Sequence, residues 1–82
     1  MADIKIYSTT TCPYCVLEME YLDAKGQKYE HILVDKDQSK LEEMVKLSGT
    51  YAVPFTLITT DDGKQEKILG FDQPKIAAAL GL

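Results

Sequence analysis

The sequence predicts an α/β fold in the order βαβαββα, with a four-stranded mixed sheet flanked by helices on both faces. Three observations carry that expectation. Strand-like alternation at the N-terminus gives way to helical spacing and then returns to strand character, which is how a βαβ unit reads. Two β-rich runs enclose the turn signal Asp61-Asp62-Gly63, so they form a hairpin with antiparallel arms. A helical segment with its own capping residue closes the chain, and the hairpin makes mixed a sheet that the βαβ unit begins as parallel.

Taken in order, Asp3-Ile4-Lys5-Ile6-Tyr7-Ser8 alternates polar and apolar side chains with β-branched isoleucines and is the first strand. The hydroxyl-rich Ser8-Thr9-Thr10-Thr11 run leads into a helix whose N-cap is Cys12 and whose first residue is Pro13, where the missing N–H is not needed. From Pro13 to Lys25, Cys15, Met19 and Leu22 form the core face with Val16 and Leu17 beside them, while Glu18, Glu20 and Asp23 are expected to point to solvent. Lys25 and Gly26 end that helix. The segment from Gln27 to Val34 is the second strand, and its apolar end suggests cover on both faces. After the charged loop Asp35-Lys36-Asp37-Gln38, Ser39 and Glu42 read as a capping box for a helix carrying Leu41, Met44, Val45 and Leu47 and closing at Gly49. The third strand starts after Pro54 and runs from Phe55 to Thr60, and the fourth runs from Gln65 to Leu69. Asp72 caps the last helix, with Pro74 in its first turn and Ile76, Ala77 and Leu80 following.

At 82 residues the chain has room for a single domain, 1–82, burying roughly 60% of the surface its unfolded form exposes. The formal net charge is -4, and no Lys/Arg cluster makes a stripe for phosphates, so no nucleic acid is expected as partner. No apolar run approaches the roughly 18 residues of a membrane helix, and Met1-Ala2-Asp3-Ile4 lacks the basic and apolar regions of a signal peptide. A cytoplasmic, monomeric protein with no membrane partner is the expectation. Within it, a C-x-x-C pair points to redox or metal chemistry rather than to a disulfide scaffold. Closed zinc sites take four ligands, and the sequence offers only Cys12, Cys15 and the distant His31, so no metal is expected. His31 itself reads as a strand histidine, on the surface or satisfied.

Disulfide exchange needs a thiolate that attacks and a second thiol that resolves the mixed disulfide. At the N-cap, Cys12 meets the positive end of the helix dipole and unpaired N–H groups, which lower its pKa and make it the nucleophile. Cys15, one turn further in and aligned with Met19 and Leu22, is the buried resolving thiol. Pro13 shapes the turn between them, and Tyr14 offers a flat surface for substrate or is partly buried.

With Cys12-Pro13-Tyr14-Cys15 after the first strand, Val53-Pro54 before the third, and Gly70-Phe71-Asp72 after the fourth, the chain resembles the glutaredoxins, a dithiol family of the thioredoxin fold. The resemblance implies a redox-active thiol–disulfide oxidoreductase, serving electron transport and cell redox homeostasis, that reduces protein or glutathione-mixed disulfides through a Cys12/Cys15 cycle. It implies no bound cofactor, with glutathione as reductant, and a cis Val53-Pro54 bond that turns the Val53 backbone toward the sulfurs. Asp72, with Gly70 and Phe71, is placed to take the amino group of a γ-glutamyl moiety or simply to cap the helix. Phe71 is an apolar spot beside the site if exposed, and core if buried.

Gly70-Phe71 also resembles the segment of NrdH-type redoxins, which implies a thioredoxin reductase as the alternative donor. Thr9 and Ala52 stand where many glutaredoxins have a basic residue and a threonine. A further alternative is a cluster-binding dimer, in which Cys12 thiolates of two chains and two external thiols hold an iron-sulfur cluster. Pro13 argues against it, because cluster carriers in the family favour small residues there.

Overall fold

The computed structural model describes residues 3–82, so the part of the domain assignment that falls on Met1 and Ala2 lies outside the described residues. The order is β1 (Asp3–Ser8), α1 (Pro13–Ala24), β2 (Glu30–Leu33), α2 (Gln38–Ser48), β3 (Phe55–Thr59), β4 (Gln65–Leu69) and α3 (Gln73–Leu80). The strands lie in the order β2-β1-β3-β4. α1 crosses over between β1 and β2, which pair in parallel with Tyr7 opposite Ile32, as a helical crossover requires. β3 runs antiparallel to β1, with Tyr7 opposite Phe55, and antiparallel to β4, with Phe55 opposite Leu69.

Strand alternation divides the core into two clusters, one on each face. Ile4, Ile6, Ile58 and Ile68 face α1 and α3, where Leu22 and Ile76 meet them. Tyr7, Ile32, Phe55 and Leu57 face α2, where Met44 meets them. Tyr7 is fully buried, and its hydroxyl donates to Glu43. Burial first, and the Glu43 bond second, hold that phenol well above its usual range.

Two local expectations are corrected. β2 starts at Glu30 rather than Gln27, because the end of α1 consumes the intervening backbone: Gly26 is left-handed at φ 69°, its N–H bonds Asp23 O, and Gln27 N–H bonds Leu22 O at 2.9 Å. β2 is an edge strand that pairs only with β1; its start, Glu30 and His31, is exposed, while its apolar end is buried at Ile32 and half-buried at Leu33. The cap of α2 is Asp37, two residues before the predicted Ser39: its carboxylate accepts from Ser39 N–H at 3.0 Å and Lys40 N–H at 3.4 Å. The charged carboxylate is the stronger acceptor at the positive end of the helix, and Ser39 spends its own hydroxyl as a donor to Asp37 at 2.6 Å.

The largest departure lies on α1. Val16 and Leu17 are exposed at 50% and 47%, whereas Glu18 is fully buried with Cys15 and Leu22. The inward stripe runs 15, 18, 22, so the expected solvated face of Glu18, Glu20 and Asp23 loses its first member to the core.

Candidate active site

The site gathers at the end of the sheet where β1 and β2 finish, β3 begins and β4 finishes. The loop leaving β1 is tied down by Thr10, whose N–H and hydroxyl donate to Asp35 at 3.1 and 2.6 Å. Those bonds, the hydroxyl's above all, hold the Asp35 carboxyl below its usual range. Cys12 follows as the N-cap of α1 and Pro13 as its first residue. Across the sheet end, the Val53-Pro54 peptide bond is cis, as the resemblance implies. Pro54 is buried, and its carbonyl accepts from Gly70 N–H at 2.8 Å, fastening the loop before β3 to the turn after β4. Gly70 takes φ 74°, a left-handed value that suits glycine in this tight exit.

Cys12 and Cys15 form a disulfide with Cα atoms 5.3 Å apart. Their surroundings differ sharply. Cys12 is half-buried and its sulfur accepts from Cys15 N–H at 3.2 Å, whereas Cys15 is 1% exposed. An attacking partner therefore reaches Cys12 first. Pro13 is exposed, and so is Tyr14, at 64%, which puts its ring on the surface beside the disulfide.

The remaining predicted residues divide. Val53 is half-buried and packs on the α2-side cluster, so it offers its backbone rather than its side chain. Phe71 packs toward the last turns of α1, its ring 6.0 Å from that of Tyr21. It is half-buried and belongs to the α1-side cluster, the core alternative of its two readings. Asp72 caps α3 by accepting from Lys75 N–H at 3.2 Å. His31 is exposed, and its Nε2 bonds the hydroxyl of buried Ser8. Among the described residues no group of three or more His, Cys, Asp or Glu side chains is arranged to hold a metal ion. No helix among them is long and apolar enough to cross a membrane.

Sequence reasoning missed Glu18 and Thr56. The Thr56 hydroxyl donates to Glu18 Oε2, and the other oxygen, Oε1, is buried with no hydrogen-bond partner among the described residues. A signal for Glu18 existed: a helical stripe through Cys15 and Leu22, seven residues apart, passes over position 18. Burial raises the Glu18 pKa from 4.5, and the Thr56 bond opposes that rise. The folded protein thus holds this proton more tightly than the unfolded chain. The stabilisation that follows is complete below the unfolded value and is lost as pH rises through the folded one. Glu18→Gln stays neutral throughout, so the variant's Tm should gain on the wild type's as pH is raised from 4.5 to 7. Two parallel Tm curves would contradict this.

A fold of this order, with its two cysteines where β1 hands over to α1 and a cis-proline loop at the same sheet end, is thioredoxin-like and of the dithiol class. Within that class the chain belongs to the glutaredoxin family, whose family model, Glutaredoxin, matches residues 4–61. Glutaredoxin 3 of Escherichia coli strain K12 is 41% identical over 54 residues, which cover 66% of this chain and 65% of that protein. The match therefore spans just under two thirds of that relative's length. A glutaredoxin-like 8.6 kDa protein from the rubredoxin operon of Clostridium pasteurianum, itself uncharacterized, is 41% identical over 73 residues, 89% of this chain and 91% of that protein. The crystal structure of a glutaredoxin from Archaeoglobus fulgidus superposes with a TM-score of 0.80 at 27% identity, covering 98% of this chain and 87% of that one.

Proposed function

We propose that the protein is a thiol–disulfide oxidoreductase whose Cys12–Cys15 pair cycles between disulfide and dithiol, with other proteins as its exchange partners. The unequal exposure of the two sulfurs carries this reading. In the dithiol form the Cys12 thiolate, favoured by the α1 N-terminus and the Cys15 N–H, attacks a substrate disulfide and releases one substrate thiolate. Cys15 then attacks Cys12 Sγ, frees the second substrate thiolate and restores the Cys12–Cys15 disulfide. Two electrons pass to the substrate, and a donor dithiol returns them by the reverse exchange.

Protein partners are favoured over glutathione by the rim. Residues 8–24, 47–63 and 68–74 contain no Lys or Arg to meet glutathione's carboxylates, and the loop after β2 brings one cation to this sheet end, Lys36, beside the Asp35 that holds Thr10. The first two of those segments present apolar surface instead: Tyr14 at 64% and Tyr51 at 72% exposure, with Val16 and Leu17 on the outer side of α1. An extended substrate segment would add its backbone to that of Val53, beside the cis bond.

Turnover of a protein disulfide is the test, with the oxidoreductase supplied in parallel by NADPH and a thioredoxin reductase or by glutathione and glutathione reductase. The reductase-driven rate should exceed the glutathione-driven rate by about tenfold, the difference that ~1.4 kcal/mol of recognition makes. A faster glutathione reaction would reject protein partners as donors.

A further inference from the structure

Cys15 and Glu18 sit one helical turn apart on the inner face of α1, 1% and 0% exposed. Residues so spaced hold their Cβ atoms about 5–6 Å apart, and a long helical side chain leans over the turn N-terminal to it. Glu18 therefore leans toward Cys15. Its carboxylate is anchored at one oxygen by Thr56, two residues beyond cis Pro54, while Oε1 stays buried and unpartnered among the described residues. Packing alone would be served better by an apolar residue here, because a buried oxygen without a donor destabilises the fold.

Among the described residues, the groups around Glu18 are otherwise engaged or uncharged. On α1 the titratable side chain that shares the buried face with Glu18 is Cys15; Tyr21 is turned to Phe71 and Lys25. Tyr29, ahead of β2, bonds Asp23, and His31 on β2 bonds Ser8. β1 and β3 present Ile4, Ile6, Ser8, Thr56 and Ile58, none of them charged. Glu66 on β4 is exposed opposite Ile58, and Asp72 caps α3.

We propose that Glu18 receives the proton of Cys15 when Cys15 resolves a mixed disulfide, and returns it when the pair is reduced; this rests on the oxidoreductase reading above. In the resolving step the Cys15 S–H proton passes to the Glu18 carboxylate. The Cys15 electron pair forms the bond to Cys12 Sγ, and the Cys12–substrate S–S bond breaks. The substrate thiolate leaves into solvent with its electron pair, and Glu18 then gives up its proton to water. A sulfur shielded from bulk water needs an internal acceptor, and this carboxyl, with its raised pKa, is matched to the task better than an ordinary exposed acid.

One stopped-flow trace separates the steps. Reduced protein mixed with an equimolar amount of the aromatic disulfide dithiobis(nitrobenzoate) releases one coloured thiolate when Cys12 attacks and a second when Cys15 resolves. Glu18→Gln keeps the shape and an acceptor for Thr56. It should leave the first phase unchanged and slow the second about 100-fold at neutral pH, a typical general-base contribution. In the wild type the second phase should saturate as Glu18 ionises, whereas in the variant it should keep rising toward the thiol range near ~8.5.

Glu18→Met serves as a second variant, read in the same way, should the glutamine protein fold poorly. A second phase with wild-type rate and pH profile, or both phases slowed alike, overturns the proposal. A wild type that releases no second thiolate would instead sink the oxidoreductase reading, so the two failures are distinguishable.

Discussion

Cys12→Ser should bring disulfide exchange down to background, a loss on the order of ten-thousandfold or more, as expected when a covalent nucleophile is removed. Cys15→Ser should instead leave the first attack intact and accumulate a stable adduct between Cys12 and its substrate. The asymmetry follows from position. Cys12 is half-buried at the helix N-cap, where its sulfur accepts the Cys15 N–H at 3.2 Å. Cys15 is 1% exposed and can reach only the neighbouring sulfur. Intact-mass measurement of each variant after exposure to a protein disulfide reads the result directly. An adduct on Cys15 in the Cys12→Ser protein would reverse the two assignments.

The largest structural effect is expected at Phe55. This side chain is fully buried, meets Tyr7 in a tilted contact with ring centroids 5.7 Å apart, and anchors the α2-side cluster with Met44 and Leu57. Truncation to alanine removes the ring and leaves a cavity, at a cost of about 3–5 kcal/mol. Whole domains are stable by only about 5–15 kcal/mol, and a small one has little to spare. Tm should therefore fall on the order of 20 °C. Because Phe55 follows Pro54, exchange activity should begin to fail well below the variant's Tm, as the loop before β3 loses its anchor. A loss below about 1 kcal/mol would mean that the cluster closes over the gap.

Much of the fold was legible because its elements obey their periods. Ile4 and Ile6 in β1, the β-branched run after Pro54, the Asp61-Asp62-Gly63 turn and the Asp72 cap each state their structure locally, and the structure bears them out. The parallel β1/β2 pair followed from α1, and the hairpin from its turn. The errors arose where a distant partner outweighed a local preference. Glu18 is charged and was assigned outward; what turns it inward is Thr56, 38 residues away.

Val16 and Leu17 are apolar and expected beside the core face, yet both lie exposed. Sequences tend to break their own pattern where function intervenes, and this helix breaks it right behind the cysteines. The cis bond was legible only through the family resemblance: about one X-Pro bond in twenty is cis in folded proteins, so Val-Pro alone carries little information. The two cysteines, by contrast, were readable from spacing and context, since a strand-to-helix junction fixes both their separation and their unequal burial.

The hairpin turn gives the molecule a blunt end of its own. Thr60 N–H bonds Lys64 O at 2.9 Å and Gly63 N–H bonds Thr60 O at 2.9 Å, closing β3 onto β4 at the edge where Thr59 faces Gln65. Phe55, at the other end of β3, lies about 14 Å away along the strand. A peptide tag spliced between Asp62 and Gly63 would therefore tether the protein to a bead or an electrode by its inert end and present every copy with its sulfurs outward. Fixed that way, the molecule becomes an oriented redox surface.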